Sequence, residues 1–442
     1  MDAVGLSKPP QHEHEAVRTA GKTLLSLQHW KSRILLWSAG AAVGVAAVAF
    51  ARLADAAQEL FRRLQGASHL WPWLAAPLGF AAISWVTRRY FPGAEGSGIP
   101  QTIFSLQPES GEAGTKLLRP RVVIGRMLLA GAALLCGGSI GREGPTVHVG
   151  AAITNFFGRW IPHAGQSAQR RALILAGGAA GVAAAFNTPL AGIVFAIEEL
   201  SRSFEERASG VTLTAVILAG VISIALTGDY TYFGQPAVAA QAHSVTAGSL
   251  LVALLGGLTG GLFSRLTLSG VGTVRRLLTN ARTWKVAAFA GGCGLLVALI
   301  GSVSGDLIYG TGYAEARSVL EFHAHLPWYY GPARAVATLL AYLSGIPAGL
   351  LAPSLSVGAG LGQTIADLAG EAAAEPFAIL GMCGYLAGVT QAPLTSLVIV
   401  MEMTSQHAMV LPLMITAALA TAVSKLFSPP LYRTLAAQRY GS

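Results

Sequence analysis

The 442-residue chain is short of charge: Asp, Glu, Lys and Arg together make up 12% of it. A soluble domain carries roughly 25%, so a fold built from this chain cannot clothe a water-facing surface, and most of that surface must face lipid. Cysteine is also scarce. Cys136, Cys293 and Cys383 stand alone in apolar stretches, which excludes a disulfide framework and a thiolate metal site. Acidic residues are outnumbered, 21 against 30 basic ones, for a formal net charge of +9. The basic residues flank apolar runs instead of gathering on one face, so a nucleic-acid partner is not expected. They fall in an N-terminal stretch (Lys8, Arg18, Lys22), a central cluster (Arg275, Arg276, Arg282, Lys285) and a C-terminal pair (Lys425, Arg433). Positive charge favours the cytoplasmic face, so all three regions are expected there. Residues 1–30 are polar and mixed in charge. They read as a cytoplasmic segment with no secretory signal.

Catalytic patterns are missing as well. Gly137-Gly138-Ser139-Ile140-Gly141 has the spacing of a nucleophile elbow but not the strand that must precede one. His12-Glu13-His14-Glu15 is no zinc motif, because Ala16 takes the position of the second histidine. With no Ser/His pair in prospect, an enzyme is not expected.

What is abundant is uncharged apolar sequence. Ile34–Ala51, Ala172–Ile197, Ala335–Ala366, Pro376–Met401 and Met403–Ser424 are among the runs without a charge. A spanning helix needs about 20 apolar residues, so the longer runs are expected to hold two helices or a broken one. The 53 glycines allow close helix packing. Breaks inside apolar runs are tolerated only where protein or water covers the freed backbone.

The chain repeats itself. Gly141-Arg-Glu-Gly-Pro145 continues to Val149-Gly150-Ala151, and Gly349-Leu-Leu-Ala-Pro353 continues to Val357-Gly358-Ala359, an offset of 208. Pro189-Leu190 followed by Glu198 matches Pro393-Leu394 followed by Glu402, an offset of 204. These echoes predict two homologous halves, about 31–230 and 245–440, within one membrane domain of residues 31–442. Matching broken segments in both halves point to a substrate site between them.

Three motifs set glycine close to proline at the predicted start of an apolar helix: Gly96-Ser-Gly-Ile-Pro100, Gly141-Arg-Glu-Gly-Pro145 and Gly349-Leu-Leu-Ala-Pro353. Proline suits the first helical turn, and glycine lets a ligand approach the backbone. A helix N-terminus offers free N–H groups and the positive end of its dipole. Several such ends converging in a membrane would hold an anion without a full positive charge, and weak sites are what conduction requires.

GSGIP, GREGP and the second-half Gly-x-x-x-Pro, in that order, resemble the three signature motifs of the CLC family of chloride channels and chloride/proton antiporters. Phe186–Gly192 with Ile197-Glu198-Glu199, and Pro430-Leu431-Tyr432, are similar to later family segments. The resemblance implies an all-α polytopic fold of about eighteen tilted or broken helices in two inverted repeats. It also implies a homodimer in the lipid bilayer with one pore per subunit, located in the cell's inner (plasma) membrane with both termini cytoplasmic. By position, Ser97 and Gly98, the Tyr432 hydroxyl and the amides of Leu350 and Leu351 would bind a central anion. Amides around Arg142–Gly144 would form an outer site. Glu143 would be the gate that competes for that site, and Glu199 the inner proton acceptor.

The chain departs from the family pattern where Leu351 replaces the usual Phe and Gln101 the usual Glu. The sequence after Tyr432 is too short for the paired cytoplasmic nucleotide-binding domains of many eukaryotic members, so no nucleotide and no cofactor are expected. The function implied is exchange of chloride and similar halides for protons, because Glu143, Glu199 and Tyr432 are all present. A passive chloride channel, or an exchanger for nitrate or fluoride, is the alternative; serine at position 97 favours chloride. Glu198 and Glu402 read as structural residues, and His148 as a packed or pore-vestibule residue instead of a proton relay.

Overall fold

A computed structural model describes residues 27–161, 167–201, 210–228, 232–234, 242–371 and 373–441. The expected cytoplasmic segment at 1–30 therefore lies almost wholly outside the described residues. Eighteen α-helices are seen among those described. The first nine are α1 (Leu27–Ala67), α2 (Trp71–Tyr90), α3 (Ile99–Ser105), α4 (Gly111–Leu117), α5 (Pro120–Leu135), α6 (Glu143–Phe157), α7 (Ser167–Phe186), α8 (Pro189–Phe195) and α9 (Gly210–Thr227). The second nine are α10 (Ala242–Leu278), α11 (Thr283–Val303), α12 (Tyr313–Phe322), α13 (Tyr330–Leu343), α14 (Leu351–Ala369), α15 (Glu375–Thr390), α16 (Pro393–Thr404), α17 (Val410–Lys425) and α18 (Leu431–Tyr440).

Among the described residues, five helical stretches are long and apolar enough to cross a membrane: Trp30–Ala67, Gly210–Thr227, Ser249–Leu278, Thr283–Val303 and His407–Lys425. Elsewhere the apolar runs are broken, as their length predicts. Ala172–Ile197 divides at Asn187-Thr188, Ala335–Ala366 between Leu343 and Leu351, and Pro376–Met401 at Gln391-Ala392. Each of α3, α5, α8 and α16 starts on a proline in its first turn. There the missing N–H costs no helical bond.

The halves pack alike. Helix α6 lies along α7 as α14 lies along α15, while α1 with α9 and α10 with α17 flank the respective pairs. Glycine makes the inner crossings possible. A Cβ placed on Gly150 would stand 2.1 Å from the carbonyl oxygen of Gly177, and one on Gly358 would stand 2.3 Å from that of Gly381. Any side chain there would force the backbones apart, which is why membrane helices in close contact use small residues.

Two matched pairs of polar groups recur in the repeats, and the first pair ties one repeat to the other. Glu198 accepts hydrogen bonds from the amides of Leu394 (3.2 Å) and Thr395 (2.7 Å), at the start of α16. Glu402 does the same for Leu190 (3.2 Å) and Ala191 (2.7 Å), at the start of α8. Each carboxylate satisfies first-turn donors that no helical carbonyl can reach. The structural reading of these two glutamates therefore rests on defined bonds. The second pair is fully buried arginines. Arg126 donates to the carbonyls of Gly93 and Gly96, both at 2.8 Å. Arg334, 208 positions later, donates to Leu307 (3.1 Å) and Gly310 (2.7 Å). An arginine in an apolar interior is retained only where such bonds satisfy it.

Candidate functional site

The three Gly/Pro motifs meet where the halves join. Gly141 and Gly349 pair through their backbones, N–H to O at 2.8 Å one way and 3.1 Å the other. The Gly96 amide donates to the Ile346 carbonyl at 3.0 Å, and the Ala348 amide to Gly96 at 3.1 Å. These short pairings hold the starts of α3, α6 and α14 side by side. Gly96 and Gly98 take left-handed φ values of +71° and +96°. Glycine adopts that conformation at little cost, and the turn brings Gly98 against the carbonyl of Gly144.

Ser97 is fully buried, and its Oγ accepts from the Ile99 amide at 3.3 Å. The short α3 packs against α18, which carries Tyr432. The Tyr432 side chain is fully buried and its hydroxyl bonds to no protein group. Leu350 caps α14 and Leu351 is its first residue, both buried. Because α14 begins there, the amides of Leu350 and Leu351 have no helical acceptor.

Glu143, the first residue of α6, is fully buried. Its side chain folds back over the motif: a Cβ on Gly141 would lie 2.5 Å from Glu143 Oε2, 3.0 Å from Pro353 and 3.3 Å from Ala352 Cβ. The carboxylate thus sits between the N-termini of α6 and α14, where the dipoles favour negative charge. The other oxygen, Oε1, accepts from the Tyr313 hydroxyl at 2.6 Å. Arg142 is not its partner. The guanidinium turns away to Asp55 Oδ1 (2.7 Å), the Ala51 carbonyl (3.0 Å) and the Tyr232 hydroxyl (2.9 Å). Gly144 leaves room for Ser97, whose carbonyl oxygen would be 2.7 Å from a Cβ at that position.

Glu199 lies apart from this group, in a single π-turn over Ala196–Leu200 closed by the Ser201 amide bonding the Ala196 carbonyl at 2.9 Å. Such turns concentrate at functional positions. Its side chain is buried, and Oε1 has no hydrogen-bond partner. Next to it, Arg433 donates to the Glu198 carbonyl at 2.8 Å, which joins this turn to the Tyr432 helix. His148 is buried with neither ring nitrogen bonded, packed behind Gly98.

Sequence reasoning gave no role to four residues. Gln101 donates to the carbonyls of Gly93 (3.1 Å) and Glu95 (2.7 Å), which an ionised Glu there could not do. Arg126 braces the same loop, Tyr313 bonds Glu143, and Tyr232 stacks on Tyr313 and accepts from Arg142. One signal was available. Gly310-Thr311-Gly312-Tyr313 echoes Gly96-Ser97-Gly98-Ile99 at an offset of 214, with φ values of +77° and +88° at its glycines.

Duplicated broken helices around a buried cluster of backbone donors, one carboxylate and a free phenol define a polytopic membrane transport protein. The chain belongs to the voltage-gated chloride channel (CLC) family, whose model matches residues 79–425. It is 31% identical to the "H(+)/Cl(-) exchange transporter ClcA" of Cronobacter sakazakii (strain ATCC BAA-894), over 94% of this chain and 92% of that protein. Its fold matches a slow cyanobacterial Cl-/H+ antiporter with a TM-score of 0.76 at 24% identity, covering 93% of this chain and 98% of the other. It also matches a CLC-type fluoride/proton antiporter, with a TM-score of 0.76 at 24% identity over 91% of this chain and 96% of the other.

Proposed function

We propose that this protein exchanges chloride and similar halides for protons across a cell's inner (plasma) membrane, with both termini on the cytoplasmic side. The observation that carries the reading is the seat of Glu143: a buried carboxylate on the join between two helix N-termini, held as an anion would be held. A carboxylate in that place excludes an anion from it. Protonation removes the charge that binds it there and lets the side chain leave, so one proton is linked to each opening of the site. The amides around Arg142, Glu143 and Gly144 then face the entering anion. Deeper in, Ser97, Gly98, the amides of Leu350 and Leu351 and the Tyr432 hydroxyl receive it. The Leu351 side chain does not affect this role, since the amide donates whatever the side chain.

Protons reach Glu143 from the cytoplasm by way of Glu199, whose turn is linked through Arg433 to the helix of Tyr432. The exchange needs no cofactor or nucleotide and no enzymatic step. The working unit is a homodimer with one pore per subunit. In each subunit residues 31–442 form the membrane domain, with repeats of about 31–230 and 245–440. Support comes from the site's geometry, from the exchanger relative, and from the joint presence of Glu143, Glu199 and Tyr432.

Purified protein in liposomes, with external chloride and pH recorded together, tests the reading. An imposed chloride gradient should drive protons uphill. Glu143→Ala should keep chloride flux and carry no protons. Uphill proton movement by that variant would remove Glu143 from the gate, and a wild type that passes chloride alone would be a channel.

A further inference from the structure

If Glu143 must leave its seat in every cycle, as the proposed function requires, whatever holds it there sets how often the outer site opens. The backbone dipoles at the two helix starts contribute to holding it, and among the described residues one side chain bonds it directly. The Tyr313 hydroxyl donates to Oε1 at 2.6 Å, the usual length of a hydroxyl's bond to a carboxylate. Arg142, next to it in the chain, gives it no hydrogen bond, since its guanidinium is committed to Asp55, Ala51 and Tyr232.

Tyr313 is itself fixed in place. It is the first residue of α12 and follows the left-handed Gly312, on a loop whose Gly310 carbonyl is clasped by the buried Arg334. Its ring lies 4.9 Å from that of Tyr232 and 5.6 Å from that of Phe233, and the Arg142 guanidinium stands 5.7 Å from its centroid. Glu143 is fully buried, Tyr313 is half-buried, and the Asp55 partner of Arg142 is two-thirds exposed at its side chain. The phenol is thus the more exposed member of the bonded pair.

We infer that Tyr313 is a latch on the gating carboxylate: its hydroxyl bonds Glu143 in the closed state, must release it each time the outer site opens, and so slows exchange. It acts through Glu143 and is a positioning residue. The argument rests on the reading of Glu143 as the gate.

The experiment is a two-by-two set in liposomes: wild type, Tyr313→Phe, Glu143→Ala and the double variant, each assayed for chloride flux and proton flux. Phe keeps the ring and its packing and removes only the donor. A hydrogen bond to a charged group is strong enough that its loss should speed chloride exchange on the order of tenfold, with coupling to protons retained. In the Glu143→Ala background there is no carboxylate to latch, so Tyr313→Phe should leave chloride flux unchanged. That flux also reports that the variant is folded. An unaltered or slower rate in Tyr313→Phe alone overturns the latch. An equal change in both backgrounds overturns it too, making Tyr313 a pore-lining residue. Proton pumping by Glu143→Ala alone would instead overturn the reading of the gate, and the single variant shows this independently.

Discussion

The two halves of the molecule share a skeleton and differ in chemistry. Arg126 and Arg334 clasp equivalent loops, Glu198 and Glu402 exchange helix caps, and Gly141 pairs with Gly349. At the positions proposed for transport the correspondence fails. Glu143 is matched by Leu351, Arg142 by Leu350, Ser97 by Thr311, and Glu199 by Met403. The π-turn that carries Glu199 has no counterpart, since the equivalent residues of α16 are ordinary α-helix. Thr311 gives its amide and hydroxyl to Gln58, at 3.2 and 3.3 Å, whereas the Ser97 hydroxyl accepts from the Ile99 amide. Groups that keep buried backbone polar atoms satisfied are needed in both halves, because both halves sit in the same apolar environment. On the proposed function, titratable groups are needed once each, since a carboxylate at both ends of one site would give two competing gates.

Breaking the shared skeleton should have the largest effect. Arg126→Met leaves two buried carbonyls without their donor, each worth about 1–3 kcal/mol. The thermal midpoint of the detergent-solubilised protein should fall sharply, and Arg334→Met should lower it comparably. A large loss in one and none in the other would mean the two loops are not held alike.

The titratable groups should break the comparison the other way. Glu199→Gln keeps size and hydrogen bonding but cannot carry a proton. It should abolish proton flux while chloride still moves, and Met403→Gln should leave coupling untouched. Parallel pH and chloride traces decide this, and normal coupling in Glu199→Gln would take that residue out of the proton path.

Selectivity should respond more mildly. Ser97→Pro removes a hydroxyl and an N–H, about 1 kcal/mol each for ordinary hydrogen bonds. Nitrate should gain on chloride by roughly tenfold in exchange assays. Thr311→Ser, at the equivalent loop, should change nothing. Unaltered selectivity in Ser97→Pro would move the central anion elsewhere. Smallest is the exchanged cap. Glu198→Gln and Glu402→Gln should each cost about 1 kcal/mol, as lost helix caps do, and by similar amounts in thermal unfolding.

Much of this was legible in the chain. The uncharged runs and their breaks follow from composition and from proline and glycine, whose effects are local. The 208- and 204-residue echoes revealed the repeat because the same backbone turns need the same glycines and prolines. The repeat of Gly96-Ser97-Gly98 at Gly310-Thr311-Gly312 was harder to see, since only two glycines persist and both are common in this chain. Gln101 looked like a small departure from a family pattern, and its two bonds to loop carbonyls gave it a purpose only once the loop had a shape.

By itself, then, the sequence determined that this protein lies in a membrane, that it is built twice over from broken helices, and that three Gly/Pro helix starts, one of them carrying Glu143, interrupt its apolar runs. Those properties depend on hydrophobic length, backbone preference and periodicity, which neighbouring residues settle among themselves. The tertiary structure alone decided that Glu198 caps a helix of the other half, that Arg142 turns to Asp55, and that Tyr313 closes on Glu143 across 170 positions of chain. Most buried polar groups find a partner, but composition does not say which. That choice is made by the packing that brings distant segments within hydrogen-bond reach.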